Sequence, residues 1–299
     1  MIDTKIKTLI TLVNIGSYTR AAEALHLTQP AVSHHIRMLE KEFGIKIFQP
    51  DKKELKPTPE GAVLIKYAHR VMAIYNKARV AIDDSRKEAK HLFIGLTQTA
   101  GENFMPQVIA TYCNEHPNTI INICTDTIKN LYERLQLYEL DMAVVGGTLP
   151  GSDFNSVLLD TDSLCLIVSP LHPFAKRRSI SLHELKTEKL ILRSATAGTR
   201  ILFDNYLAGH SESVKNFNLM MELDNIAMTK ELVSMNLGVS IIAKSACLDE
   251  VRHKKLVIVP IENVRMTREI NIIYQKDFSH PEILEELRQI YERLLIKMQ

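Results

Sequence analysis

No apolar run in this 299-residue chain approaches the ~20 residues that a membrane-spanning helix needs. The first residues, Met1-Ile2-Asp3-Thr4-Lys5-Ile6-Lys7, are too charged and too interrupted for a secretory signal, so a cytoplasmic location is expected. Cysteine is scarce. Cys113, Cys124, Cys165 and Cys247 form no close pair in sequence and no zinc-like spacing, which argues against a disulfide framework or a structural metal. They read as small, reduced, buried side chains. There is no internal repeat and no low-complexity segment. Also missing are a phosphate-binding Walker loop, a Gly-x-Ser-x-Gly elbow, a metal cluster and a Cys/His pair at telling spacing. The chain therefore reads as a non-enzyme without a cofactor, long enough for two or three domains with their own cores.

Charge is uneven along the chain. The formal net charge of +2 says little, but residues 1–91 carry 16 Lys and Arg against 10 Asp and Glu, and the remainder 21 against 25. A basic N-terminal third suits contact with a polyanion.

That third holds the most informative stretch, residues 17–40. Ser17 can cap one helix, and Thr28 can cap a second with Pro30 in its first turn. Ala21, Ala22 and Leu25 give the first helix a small apolar face. Val32, Ile36, Leu39 and Phe43 recur at helical spacing on the second. Gln29, Ser33, His34 and Arg37 remain on its outer face, all polar and none acidic. This is the layout of a helix-turn-helix that reads a DNA major groove, although an ordinary helical hairpin with a solvated face fits the spacing as well.

The run Ala21-Ala22-Glu23-Ala24-Leu25-His26-Leu27-Thr28-Gln29-Pro30-Ala31-Val32-Ser33 resembles the DNA-binding motif of the LysR-type transcriptional regulators. The resemblance continues through Phe43-Gly44-Ile45-Lys46-Ile47-Phe48 and Leu55-Lys56-Pro57-Thr58-Pro59-Glu60-Gly61, the wing and the start of the linker helix in that family. It implies DNA contacts from Tyr18, Arg20, Thr28, Gln29, Pro30, Ser33, His34 and Arg37. The family's wing arginine is missing, so its phosphate contact would pass to Lys52 or Lys53. The implied partners are double-stranded DNA with an interrupted dyad, further copies of the chain in a dimer and tetramer, a small-molecule effector and RNA polymerase.

Thr58, Pro59 and Glu60 open a long helix predicted to reach about Arg86. Leu64, Tyr67, Val71, Ile74, Ala78 and Ala81 alternate by three and four, as in a coiled-coil seam. A second copy of the chain would bury this stripe. Packing against the chain's own wing domain is the alternative. Residues 83–90 read as a charged linker.

Strands and helices then alternate. Strands are expected over 92–96, 120–124 and 142–145, with helices over 104–115 and 131–140, an order that implies a parallel sheet with right-handed crossovers. A second such unit has strands over 164–168, 189–192, 219–223 and 239–243 and helices over 198–207 and 225–235. A strand over 270–274 returns to the first sheet, and a helix over 282–297 closes the chain. The expected class is α/β with an N-terminal all-α winged helix-turn-helix. Two Rossmann-like lobes resemble the type 2 periplasmic-binding-protein fold, the family's effector domain. The expected domains are 1–60 (DNA binding), 61–90 (linker and dimerisation) and 91–299 (effector binding). Within the last, lobe one covers about 91–160 and 266–299, and lobe two about 161–265.

Ligands of open α/β sheets bind beyond the carboxyl ends of the strands, here between the lobes. The loops arriving there offer Thr97, Thr99, Ala100, Thr125, Thr127, Gly146, Arg193, Thr196, Thr199 and Arg200. The segment 193–200 sets two arginines and several hydroxyls around Gly198 at a helix start, which favours an anion. It also resembles a segment of family members that govern carbon fixation and sulfur assimilation. A structural role for Arg193 and Arg200, in ion pairs, is the alternative. A secreted solute-binding protein would account for two lobes but not for the first 90 residues. A ligand-responsive transcription factor uses both halves.

Overall fold

Each helix of the N-terminal region begins at a side chain able to accept a hydrogen bond from the free amides of the opening turn. In the computed structural model, which describes residues 3–49, 55–147, 151, 153–262, 265–278 and 280–298, α1 (Thr4–Ile15) starts at Asp3 and α2 (Tyr18–Leu25) at Ser17. Thr28 caps α3 (Gln29–Phe43), accepting from Ala31 N at 3.3 Å, and Thr58 caps α4 (Pro59–Lys87), accepting from Gly61 N at 2.9 Å. Leu9, Leu12, Ala21, Ala22, Val32, Ile36, Leu39, Ile47, Ile65 and Ala68 form one core. Burying each large side chain there contributes about 1.5–3 kcal/mol. Phe43 does not join it and is 52% exposed, because α3 ends at that residue and Gly44, at φ 66°, turns the chain away.

Phe48 and Pro57 bridge antiparallel to close the wing, and Gln49 N donates to Lys56 O at 2.9 Å. The wing lies so close to the start of α4 that a Cβ on Gly61 would sit 2.0 Å from the carbonyl oxygen of Ile47. That neighbour is backbone and cannot swing aside. Gly61→Ala is therefore expected to cost about 1–3 kcal/mol, a fall of at least about 4 °C in the unfolding of a domain this small. Thermal unfolding that is unchanged would show that wing and helix can part freely.

The described residues divide into two units, one running to His91 with Gln136–Glu139, the other holding the rest. In the second unit the chain order is β1 (Lys90–Thr97), α5 (Gln98–Glu102), α6 (Met105–Glu115), β2 (Thr119–Asp126), α7 (Ile128–Gln136), β3 (Met142–Gly146) and β4 (Asn155–Val168). It continues with α8 (Leu182–Leu185), β5 (Leu190–Arg193), α9 (Gly198–Gly209), β6 (Leu219–Leu223), α10 (Ile226–Ser234) and β7 (Ser240–Ala243). The last elements are α11 (Leu248–Arg252), β8 (Val257–Val259), β9 (Thr267–Tyr274) and α12 (Pro281–Met298).

The expected parallel sheet is in fact mixed. β1 pairs parallel with β3, but β9 runs antiparallel to both β3 and β4. Among the described residues the sheet order is β2-β1-β3-β9-β4-β7, with β8 also on β4, while β5 and β6 form a separate parallel pair. β4 and β9 belong to both lobes. They pair from Asn155 opposite Tyr274 to Ser163 opposite Thr267, after which β4 leaves β9 to pair with β7 and β8. Lobe one packs its core around Ile94, Leu96, Met105, Tyr112, Ile272 and Tyr291, and lobe two around Leu166, Leu190, Phe203, Leu207 and Ile241. The early half of β4 escapes the sequence pattern because most of it is exposed, Leu158 to 52%.

No helix of the described residues is long and apolar enough to cross a membrane. The fold does bring two cysteines together that lie far apart in sequence. Cys165 Sγ and Cys247 Sγ are 3.9 Å apart. That contact and burial hold the Cys165 thiol above its ordinary pKa, the direction of an unreactive thiol.

Candidate functional site

On α3, Gln29, Pro30, His34 and Arg37 are exposed and share a surface with the cap residue Thr28. Ser33 is half-buried and accepts from Gln29 Nε2 at 3.2 Å, which steadies the amide at the start of the helix. Arg20 is exposed at the beginning of α2, while Tyr18 is half-buried against the core, and burial raises its phenol pKa. His35 turns inward instead, with Nδ1 2.9 Å from the Oγ1 of buried Thr8. Glu40 ties the wing to this helix, accepting from Ile47 N at 3.0 Å and pairing with Lys46 at 3.1 Å. Lys52 and Lys53 lie outside the described residues.

Further along α4, Tyr67, Val71 and Ile74 are 57%, 44% and 50% exposed, and Ala78, Ala81 and Ile82 continue the exposed stripe. Leu64 is set apart from it. It is half-buried against the helix-turn-helix core, because the first turns of α4 pack there through Ile65 and Ala68.

In the second unit a cavity of about 270 Å³ opens where the ends of β1, β2, β3, β5 and β6 meet. Of the candidate residues, Thr97, Thr99, Thr125, Thr127, Gly146, Arg193 and Thr196 line it, together with Gln98, Asp126, Ile128, Ser194, Ala197, Gly198, Asp224 and Arg268. Arg193 is 5% exposed and Arg268 8%. Arg193 donates to the Gln98 side-chain oxygen at 2.7 Å, and Arg268 to Asp162 Oδ2 at 3.1 Å, yet the Nε of each is buried without a partner among the described residues. The Thr97 hydroxyl on the same wall is also buried and unmatched. Unsatisfied buried donors of this kind are costly to keep in a resting protein. Burial lowers the Arg193 guanidinium pKa; Asp224 opposes the shift and the charge of Arg268 adds to it.

Arg200, Thr199 and Ala100 are not brought to the cavity wall. Arg200 donates to Asp204 Oδ1 at 3.0 Å, to Glu222 Oε1 at 2.6 Å and to the carbonyl of Arg193 at 2.9 Å, so its charge is spent inside lobe two. Burial alone would lower its pKa, but the hydrogen bonds it donates to Glu222 and Asp204 leave it raised. Asp204, four residues on in the same helix, was the readable sign of such a pair. Thr199 is buried beneath the start of α9, and Ala100 packs in the lobe-one core. Arg268 had no sequence signal, being one arginine near the start of a returning strand and far in sequence from the other cavity residues. A wider cavity of about 800 Å³ beside α9 has Arg200, Asp204 and Glu212 on its wall. Among the described residues Arg200 pairs with Asp204 and Glu212 with Lys186, so those three wall charges are already engaged.

Comparison with known proteins places these features. Residues 4–62 match the model described as "Bacterial regulatory helix-turn-helix protein, lysR family", and residues 85–295 the "LysR substrate binding domain". A "Probable RuBisCO transcriptional regulator" of Trieres chinensis is 31% identical over 93% of this chain and 90% of its own length. Its counterpart in Thalassiosira pseudonana is 33% identical over 88% of each chain. Among solved structures, full-length CbnR complexed with its target DNA superposes with a TM-score of 0.69 at 16% identity, covering 98% of this chain and 99% of CbnR. The regulatory domain of Synechocystis PCC6803 CcmR in complex with 2-PG gives a TM-score of 0.61 at 19% identity, over 68% of this chain and 97% of that one.

Proposed function

Because the chain belongs to the LysR family of transcriptional regulators, which are not enzymes, we propose that it binds an interrupted dyad in promoter DNA as a dimer and adjusts that binding to a small anionic metabolite. Residues 1–60 read the DNA, 61–90 pair two copies and 91–299 bind the effector. Gln29, Ser33, His34 and Arg37 face the major groove, where an amide or guanidinium can make paired hydrogen bonds to a base edge. Tyr18, Arg20, Thr28 and Pro30 flank them near the phosphates, with Lys52 and Lys53 of the wing. Dimers join into tetramers, work in the cytoplasm and meet RNA polymerase at the promoter. The similar full-length CbnR, solved in complex with its target DNA, supports the DNA-binding reading.

One observation carries the effector reading. Two arginines, each more than nine-tenths buried, line one cavity, and among the described residues the Nε of each has no partner. A carboxylate or phosphate would meet them with charge-assisted hydrogen bonds, stronger than those a neutral ligand makes. That the similar CcmR regulatory domain was solved in complex with 2-PG supports a small-molecule effector for this domain. Ligand binding then shifts the balance of lobe closure, and DNA affinity changes with it.

The test is a thermal-shift screen of small anions, 2-PG among them, beside uncharged molecules of matching size. An anion present at a hundred times its Kd should add about 2.7 kcal/mol to the stability of its domain. It should also change operator affinity in titration. Equal stabilisation by the neutral analogues would remove the anionic reading and leave the family intact.

A further inference from the structure

The two cavity arginines are not equivalent. Among the described residues, Arg193 contacts the Gln98 amide and no carboxylate, whereas Arg268 is held by Asp162 at 3.1 Å. Asp162 and Arg268 are register partners on β4 and β9, the strands shared by the two lobes. Both side chains are nearly buried, 4% and 5% exposed. The guanidinium packs against Gly146, its Cζ 3.0 Å from where a Cβ would stand, so even a methyl there would press on it. Only one of its terminal nitrogens serves Asp162, and Nε is unmatched.

The carboxylate of Asp162 does not depend on Arg268 alone. It also accepts from Ser163 N at 2.8 Å, Ser245 N at 3.2 Å and Ser245 Oγ at 2.8 Å. Ser245 follows β7 in lobe two, so this one carboxylate ties the crossing strands to that lobe. Losing Arg268 would leave Asp162 with three donors, which avoids stranding a bare buried charge.

Asp126 and Asp224 also line the cavity, but among the described residues the carboxylate that bonds to Arg268 is Asp162. Resting on the anion reading above, we propose that Arg268 is exchanged between Asp162 and the effector. The incoming anion takes the guanidinium from an internal competitor. Asp162 thereby sets the affinity of the site, and its altered hold on Ser245 carries the signal into lobe two.

The exchange makes a prediction that simple electrostatics does not. Titrate the full-length protein calorimetrically with inorganic phosphate and, separately, with succinate. Asp162→Asn should tighten binding about tenfold, because the competitor is gone. Arg268→Gln should weaken it about tenfold, and the double variant should match Arg268→Gln, since nothing remains to compete for. If Asp162 were only a repulsive background charge, its removal would help equally without Arg268, and the double variant would return to wild-type affinity. That result overturns the exchange, as does weaker binding in Asp162→Asn, which would make Asp162 a positioning residue. The double variant removes both buried charges, so it still discriminates between the two cases where Arg268→Gln alone fails to fold. Should wild type bind neither probe, the anion reading itself falls and takes the exchange with it.

Discussion

Glutamate at both Val71 and Ile74 should break the α4 pair, lower the assembled mass and weaken binding to a two-half-site operator at least a hundredfold. α4 has 29 residues, about 43 Å at 1.5 Å per residue. Its first turns use Ile65 and Ala68 to close the helix-turn-helix core, and beyond Ala68 no α4 residue belongs to that cluster. The outer turns instead display Tyr67, Val71 and Ile74, about half exposed, and Ile82 at 56%. A stripe at three- and four-residue spacing on a long helix is the face that a second helix buries. Two substitutions per chain set four carboxylates in that seam, where desolvation and like-charge repulsion oppose pairing. Joining two DNA-binding units raises the effective concentration of the second and contributes about 10²–10⁴ in overall affinity. Light scattering reads the mass and an operator titration reads the affinity. An unchanged mass in the variant would sink the seam, and a smaller assembly that binds as tightly as wild type would show that the half-sites act alone.

Arg193→Gln should abolish most of the response to anion while leaving operator binding in its absence intact. Arg193 is 5% exposed, contacts the Gln98 amide across the cavity and keeps its Nε unmatched. Removing a charged donor from a ligand contact costs about 1.5–3 kcal/mol, or roughly ten- to a hundredfold in affinity. Arg200→Ala serves as the contrast. It strips Asp204 and Glu222 of their shared partner and should lower the melting temperature of lobe two, with little change in anion affinity for whatever remains folded. Titrations of both variants in a DNA-binding assay separate the two roles. A larger loss of affinity in Arg200→Ala than in Arg193→Gln would return the site to the wider cavity beside α9.

Local signals carried much of the architecture. Ser17, Thr28 and Thr58 are helix starts in the sequence and caps in the structure, because a short hydroxyl side chain reaches only the amides next to it. The apolar spacing of Val32, Ile36 and Leu39 foretold their burial for the same reason, a helix face being a matter of residues three and four apart. The same logic failed at Phe43 and Leu64, where a helix end and a neighbouring wing decide which side is covered. It also failed for β4, whose exposed first half carries no periodic apolar signal.

The cavity shows the division most clearly. Sequence alone determined that loops rich in threonine, glycine and arginine end the strands around 97, 125, 146 and 193, since strand ends and helix starts are written locally. It could not determine which arginine faces the ligand. Arg193 and Arg200 are seven residues apart and look alike as letters, but Asp204 and Glu222 claim one and leave the other open. Arg268 enters from a strand 106 residues beyond its partner Asp162, brought there by the pairing of β4 with β9. Short-range hydrogen bonds and periodic burial fix elements, whereas the competition among distant charges for one buried guanidinium exists only once the lobes have folded around it.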